Sequence, residues 1–378
     1  MEQVHISESS QRSRRLKIAS HIARLTIGII FVFSGFVKVV DPWGTMIKVN
    51  EYLAIYGIEW FSSLSVPFSI WISGAEMMMG LMFTFKVRIR LVSIFALISM
   101  SFFTLLSFLS ATIFPVEDCG CFGDAIRLTP WATFAKNAVL LPMAGVVWYR
   151  YKPDKIFAFN KLEAFLALFF FTSTMSLGTY CYFHLPLLDF RPYKIGVNLP
   201  EAISVAYRST EAPKTKTTLI FRNLSNGRLK EFSLDDTKWQ DETKWEWVDT
   251  ITEVEEVHDY KFLIAEFSVF DFNGKEQTSR LLSYDGEVAL LTMADSKYLK
   301  DRVLGRVARA INRVEANGGR VIVLTPEAIA GPTIDIEGHE VECYNIDPTT
   351  MKTMIRANVG IVVLEDGVIV DKRSWRDM

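Results

Sequence analysis

Before residue 185 the chain is a series of apolar runs of about twenty residues joined by short polar connections, at approximately 19 to 40, 64 to 85, 91 to 114, 131 to 149 and 162 to 183. A bilayer core of roughly 30 Å is crossed by about 20 helical residues, because only the helix's own carbonyls can satisfy its backbone N–H groups there. The pattern therefore predicts five spans, the fourth the shortest. Trp43 to Gly57 mixes aromatic and apolar residues with Lys48, Asn50 and Glu51, too short and too polar to span, and reads as an interfacial helix.

After residue 185 the period changes. Apolar alternation at Thr217 to Arg222 and Leu229 to Leu234, broken by Asn226-Gly227, predicts a hairpin. A second is expected around Asn273-Gly274, between Glu266 to Phe272 and Glu276 to Leu282. A strand at Val288 to Met293, a helix from about Lys297 to Asn317 stopped by Gly318-Gly319, and a strand at Arg320 to Leu324 form a β-α-β unit. A strand over Glu340 to Ile346, a helix over Thr349 to Arg356 and a hairpin turning at Glu365-Asp366-Gly367 complete an α/β pattern. The acidic, tryptophan-bearing stretch Asp235 to Asp259 receives no role. The fold class is a membrane all-α helical bundle followed by an α/β domain.

Composition sharpens this division. The chain of 378 residues is 50% hydrophobic, and the excess lies almost wholly before residue 185. Its net charge of −2 carries no basic excess, which argues against nucleic acid as a partner. Cations gather at Arg12, Arg14, Arg15 and Lys17, at Lys86, Arg88 and Arg90, and at Arg150, Lys152, Lys155 and Lys161, which predicts that these flanks are cytoplasmic. The other two connections carry Asp41, Glu51, Glu59, Glu117, Asp118 and Asp124 and face outward. With five spans, everything after His184 is outside, in a bacterium the periplasm. The basic start superficially resembles a signal peptide, but its apolar run is too long and lacks a small-residue cleavage site, so a retained first span is expected. The expected organisation is a cytoplasmic tail at 1–18, a four-helix membrane domain at 19–150, a fifth span at 151–185, a β-rich connection at 186–265 and an α/β domain at 266–378.

The most chemically informative stretch is Glu117-Asp118-Cys119-Gly120-Cys121-Phe122-Gly123-Asp124, just beyond the third span on the outer, oxidising side. Two thiols one residue apart close only a small strained ring, with Gly120 relaxing the backbone, and strained exposed disulfides suit exchange. An inert staple, or thiols in a turn shaped by glycines and acids, is the alternative. The flanking acids raise a thiol's pKa, so redox chemistry at Cys119 and Cys121 would need help from elsewhere. A closed metal site needs about four ligands, and only Cys181 and His184 could approach, so no metal is expected. Within the spans, Glu76 and Lys136 differ in depth by ~9 Å from helical rise, a gap two long side chains can close. They form a candidate polar pair able to move a proton or hold a quinone headgroup, set against snorkelling lysines and a protonated Glu76. Lys38 and Asn137 are further polar residues in the spans, and Met77-Met78-Met79 reads as packing.

Phe33-Ser34-Gly35-Phe36-Val37-Lys38 leading to Asp41-Pro42, together with Asp118-Cys119-Gly120-Cys121-Phe122-Gly123-Asp124, resembles the DoxX and MauE group of redox-associated membrane proteins over roughly 15 to 150. The resemblance implies a four-helix core, with the fifth span an addition, and an association with thiol or quinone redox chemistry or with maturing a disulfide-rich partner in methylamine utilisation. From about Glu266 the chain resembles a thioredoxin-like domain of the membrane-tethered periplasmic type, with two departures. Ala294-Asp295-Ser296-Lys297 stands where that family has Cys-x-x-Cys, and Val359 stands at its cis-proline. The resemblance therefore implies a fold without independent thiol exchange, and Cys343 is expected to be buried on a strand.

Two functions follow as expectations. In the first, an oxidoreductase of the inner membrane cycles Cys119 and Cys121 and passes electrons to a quinone or a partner thiol. In the second, the bilayer-embedded chain is a non-catalytic scaffold whose outer domain binds a periplasmic client. A transporter is disfavoured, since no inverted repeat or broken span stands out.

Overall fold

The structure is a computed structural model that describes residues 2–113, 120–152, 160–210, 215–224, 228–233, 241, 244–254, 264 and 267–378. The chain divides at Arg191/Pro192 into two compact units.

The first unit is helical. α1 (Glu2–Val40) runs unbroken through both the expected tail and the expected first span. Asp41 ends it and caps the next helix, its Oδ1 accepting from Gly44 N at 3.0 Å, and Pro42 opens α2 (Pro42–Ile55) where no N–H is missed. A 3-10 turn at Glu59–Leu64 leads into α3 (Ser65–Phe85), followed by α4 (Ile89–Thr112), α5 (Pro130–Tyr151) and α6 (Lys161–Phe183). Thr129 and Asn160 cap α5 and α6 through hydrogen bonds from Ala132 N and Leu162 N.

The packing turns polar residues inward and apolar ones both ways. Ser69, Ser73, Ser107, Thr133, Asn137 and Thr174 are buried, while Ile29, Phe95, Phe102, Leu105, Phe165 and Leu168 are exposed. A helix apolar all round has a surface suited to lipid. The most extensive contact joins α1 to α3. Glycines allow it: a Cβ on Gly80 would lie 2.4 Å from Val32 N, and one on Gly35 would lie 2.4 Å from Met77 N. Such close approach is how helices associate where no hydrophobic effect drives them together.

Among the described residues, four segments are long and apolar enough to cross a membrane, namely Arg14–Val40, Glu59–Phe85, Ile89–Thr112 and Lys161–Phe183. The expected fourth span at 131–149 is a helix, α5, but does not join that set. Lys136, Asn137, Pro142 and Arg150 dilute its apolar character. Its polar residues face protein: Asn137 is buried and donates to Phe103 O at 3.3 Å. Its 22 residues extend about 33 Å, enough to span.

The second unit begins with α7 (Leu199–Thr210) and a three-stranded antiparallel sheet of β1 (Thr215–Asn223), β2 (Leu229–Ser233) and β3 (Trp245–Val254), ordered β2-β1-β3. The strands expected on either side of Asn226-Gly227 pair antiparallel as β1 and β2, in register at Arg222 and Leu229, while the turn itself lies outside the described residues. β3 occupies part of the stretch that received no role.

The larger sheet contains β4 (Val269–Phe270), β5 (Glu287–Met293), β6 (Arg320–Thr325), β7 (Thr333–Ile336), β8 (His339–Ile346), β9 (Val359–Glu365) and β10 (Val368–Ser374), with helices α8 (Thr278–Leu282), α9 (Asp301–Ala316) and α10 (Pro348–Met354) between strands. Its order is β10-β9-β5-β6-β8-β4, with β7 on β8; β5, β6 and β8 are parallel and the other pairings antiparallel. β5 is buried over Val288 to Met293, as an apolar strand covered on both faces must be. Val303, Val307, Ile311 and Val314 give α9 one buried stripe.

Two expectations here are corrected. Glu276 to Leu282 is not a strand: a single bridge joins Phe270 to Glu276, and then α8 begins. Asp271 closes the turn too tightly for a ladder, accepting from Asn273 N, Lys275 N and Gln277 Nε2. The long helix starts at Asp301 and not near Lys297, because Asp295 caps a separate 3-10 turn at Ser296–Tyr298. The final hairpin turns where expected, with Asp366 and Gly367 both at positive φ.

Gly80→Val should lower the thermal unfolding midpoint of the detergent-solubilised chain, at a cost of about 1–3 kcal/mol from overpacking. Gly145→Ala, where a Cβ meets nothing within 4 Å, should leave it unchanged.

Candidate functional site

The Cys-Gly-Cys turn is held by α1, α2 and α5. Gly120 and Gly123 both take positive φ, 64° and 51°, which glycine adopts without strain. Gly123 N donates to Gly120 O and Ala125 N to Phe122 O, closing successive turns. From α1, Ser34 Oγ donates to Cys121 O at 2.5 Å, Phe33 meets the Phe122 ring at 5.6 Å between centroids, and Val37 packs where a Cβ on Gly123 would lie 3.0 Å from its Cγ1. From α2, the Lys48 stem covers Gly120, its Cγ 3.1 Å from an ideal Cβ there. From α5, the Lys136 ammonium lies 4.7 Å from the Phe122 ring centroid. Cys121 is half-buried. Cys119, with Glu117 and Asp118, lies outside the described residues.

The polar pair expected between Glu76 and Lys136 is replaced. Glu76 forms its ion pair with Lys38, one turn beyond Ser34 on α1, and both side chains are largely shielded at 15% and 18% exposure. The physical reason is the glycine-mediated approach of α1 to α3, which brings Lys38 to Glu76, whereas Lys136 is turned toward the Cys-Gly-Cys turn. Lys48 is paired with Glu51 at 2.9 Å.

Beside the turn is a small cleft lined by Val37, Asp41, Asp124 and the segment after α6, where Arg191 is buried and binds Asp189 through both Nε and Nη2, at 2.7 and 2.8 Å. Cys181 is buried on α6. Among the described residues no three His, Cys, Asp or Glu side chains converge as metal ligands.

Several of these participants were missed in the sequence. Ser34 stood in a quoted motif but has no chemistry until the turn folds onto it. Lys48 was read only as a polar residue of an interfacial helix. Arg24, inside the first apolar run, is buried and donates to the last carbonyls of α3, Phe83 O and Thr84 O. Its position within an apolar run was the available signal.

Residues 16–150 match the family model of the methylamine utilisation protein MauE. That match begins within α1 and ends within α5, so it contains the turn and every residue that holds it. No curated protein and no solved structure matches the chain.

Removing either partner of the Lys38–Glu76 pair should destabilise the bundle by about 2–3 kcal/mol, less than for a fully buried pair because both remain partly exposed. Lys38→Met with Glu76→Leu should recover part of the loss, a coupling that a double-mutant cycle of unfolding midpoints measures.

In the second unit, burial pushes the Cys343 thiol from 9.0 up to about 11. Between those values the unfolded chain releases this proton while the folded chain retains it, so stability falls as pH rises through the window. Cys343 should resist alkylation in the folded protein at pH 8, and the urea midpoint at which it becomes labelled should fall between pH 9 and pH 11.

Proposed function

We propose that the chain is a multi-pass protein of the inner membrane in which Cys119 and Cys121 cycle between dithiol and disulfide. Oxidation forms one S–S bond and releases two electrons and two protons. A membrane quinone takes them to become quinol, or the disulfide of a partner protein takes them to become two thiols. The observation that carries this reading is the docking of the turn: one hexapeptide of α1, Phe33 to Lys38, supplies Phe33, Ser34 and Val37 to the turn and Lys38 to Glu76. A loop serving only as a connection does not require a serine on the carbonyl of one cysteine and glycines on both sides of the other contacts. The MauE match over this region agrees with a redox-associated or maturation role.

In this reading α5 is the fourth of five spans, matched to the bundle by its inward polar residues, and α6 is the fifth. The basic flanks are cytoplasmic, and the second unit lies in the periplasm. Its β5-α9-β6 unit and β9/β10 hairpin agree with a thioredoxin-like core. With Ala294 to Lys297 free of cysteine and Cys343 buried, that unit binds a client and does not exchange thiols with it. The same observation favours a second reading, a maturation scaffold in which the turn is only stapled.

Alkylation of intact cells, with reagents that do and do not cross the membrane, separates the two. Redox cycling predicts that Cys119 and Cys121 accumulate as dithiol when quinone is depleted, and that the impermeant reagent reaches them from outside. A pair whose state ignores quinone and partner-disulfide supply supports the scaffold.

A further inference from the structure

We propose that the basic end of the helical unit holds an acidic phospholipid, with its phosphate between Lys86 and Arg150 and its acyl chains along the aromatic face beside Phe85. This goes beyond the redox reading and involves neither cysteine of the turn.

The site is built on one ring. Tyr151, at the end of α5, packs against the buried core of the helical unit. The Lys86 ammonium lies 5.3 Å from its ring centroid and the Arg150 guanidinium carbon 5.5 Å from it, so two cations from different elements share one aromatic anchor. Neither has a carboxylate within ion-pair distance among the described residues. Glu163, the acid in the first turn of α6, accepts from the backbone N–H of Arg88 at 3.3 Å. Two like charges held this close repel each other, and an anion between them turns that repulsion into attraction.

The backbone supplies a second observation. Four non-glycine residues take positive φ among the described residues, and two of them, Lys86 at 57° and Arg88 at 44°, lie in the one turn between α3 and α4. In that conformation glycine carries no steric cost and a side chain does. Lys86 closes α3 with its N–H on Phe83 O while Val87 N–H binds Met82 O, and Arg24 from α1 donates to the Phe83 and Thr84 carbonyls. Glycine would make the same turn with less strain, so two cations at these positions point to a use for their charge.

Apolar surface adjoins that charge. Phe85 is exposed next to Lys86, and its ring begins a ladder through Phe170, Phe169 and Phe165, with successive centroids 5.6, 6.1 and 6.4 Å apart. Phe165 and Phe169 are exposed too, so a continuous aromatic face on α3 and α6 leads from the cationic turn onto the lipid-suited surface. Free phosphate would use the cations alone. A phospholipid matches both the charge and the apolar face.

The test uses the purified full-length chain in detergent micelles doped with phosphatidylglycerol or with phosphatidylcholine, and reads the thermal unfolding midpoint. Phosphatidylglycerol should raise the midpoint more than phosphatidylcholine does at the same mole fraction. Lys86→Gln with Arg150→Gln should raise the phosphatidylglycerol fraction that gives half the effect by about tenfold or more, the loss expected for two cations near a headgroup. Arg309→Gln with Arg313→Gln removes the same charge from the exposed face of α9 and should leave that fraction unchanged. Lys86→Gly removes one cation and suits the left-handed backbone, so it should fold and show a weakened response even where the double variant does not accumulate. Inorganic phosphate should give no comparable rise. Charges that serve only to orient the helices during insertion would leave the purified chain indifferent to lipid type. That indifference would overturn the proposal, as would an unchanged half-effect in the Lys86 variants, an equal loss in the α9 variant, or a phosphate effect as large as that of phosphatidylglycerol.

Discussion

The approach of α1 to α3 sets the rest of the helical unit. Gly28, Gly35 and Gly80 let the two backbones meet, and at that separation Lys38 reaches Glu76 from across the interface. In a low-dielectric setting two opposite charges so placed fix both the register and the rotation of one helix on the other, because separating them leaves each poorly solvated. Once α1 is fixed, Phe33, Ser34 and Val37 point to one place, and the glycine-bearing turn before α5 docks there. The turn is thus positioned by a contact that contains no cysteine.

How much of this was legible in the sequence depended on whether the signal was local. The helices at 64–85, 91–114 and 162–183 were readable from run length alone, and the strands from Val288 to Ile346 from apolar runs ended by glycine or proline. The Glu365-Asp366-Gly367 turn was readable because positive φ at two successive positions restricts the residues that fit. By contrast, the partner of Glu76 depends on which helix faces which, and depth along the bilayer normal ranked Lys136 with no knowledge of rotation. The strand expected at Glu276 to Leu282 failed for a local reason invisible to alternation: one aspartate accepting from three donors rolled the chain into a helix. β7 escaped notice because four residues, Thr333 to Ile336, carry too short a pattern to read.

The two units solve the problem of polar groups in opposite ways. The helical unit hides serine, threonine and asparagine inside and shows phenylalanine and leucine outside, whereas the second unit buries β5 and the valine stripe of α9. The second unit's cysteine lies in that core, and Ala294 to Lys297 holds none. The match to MauE stops at residue 150, before α6 and the whole second unit.

The mixed character of α5 bears on how the protein is made. A helix carrying a lysine, an asparagine and a proline gains less from entering lipid alone than α3 or α4 does. α5 packs against α1 and α4, and Asn137 donates to Phe103 O of α4, so these partners leave the ribosome earlier. Chain order therefore puts the helices that need no company ahead of the one that does. The turn from Gly120 onward, lying between α4 and α5, gains its Lys136 contact only when α5 has packed, before α6 is added.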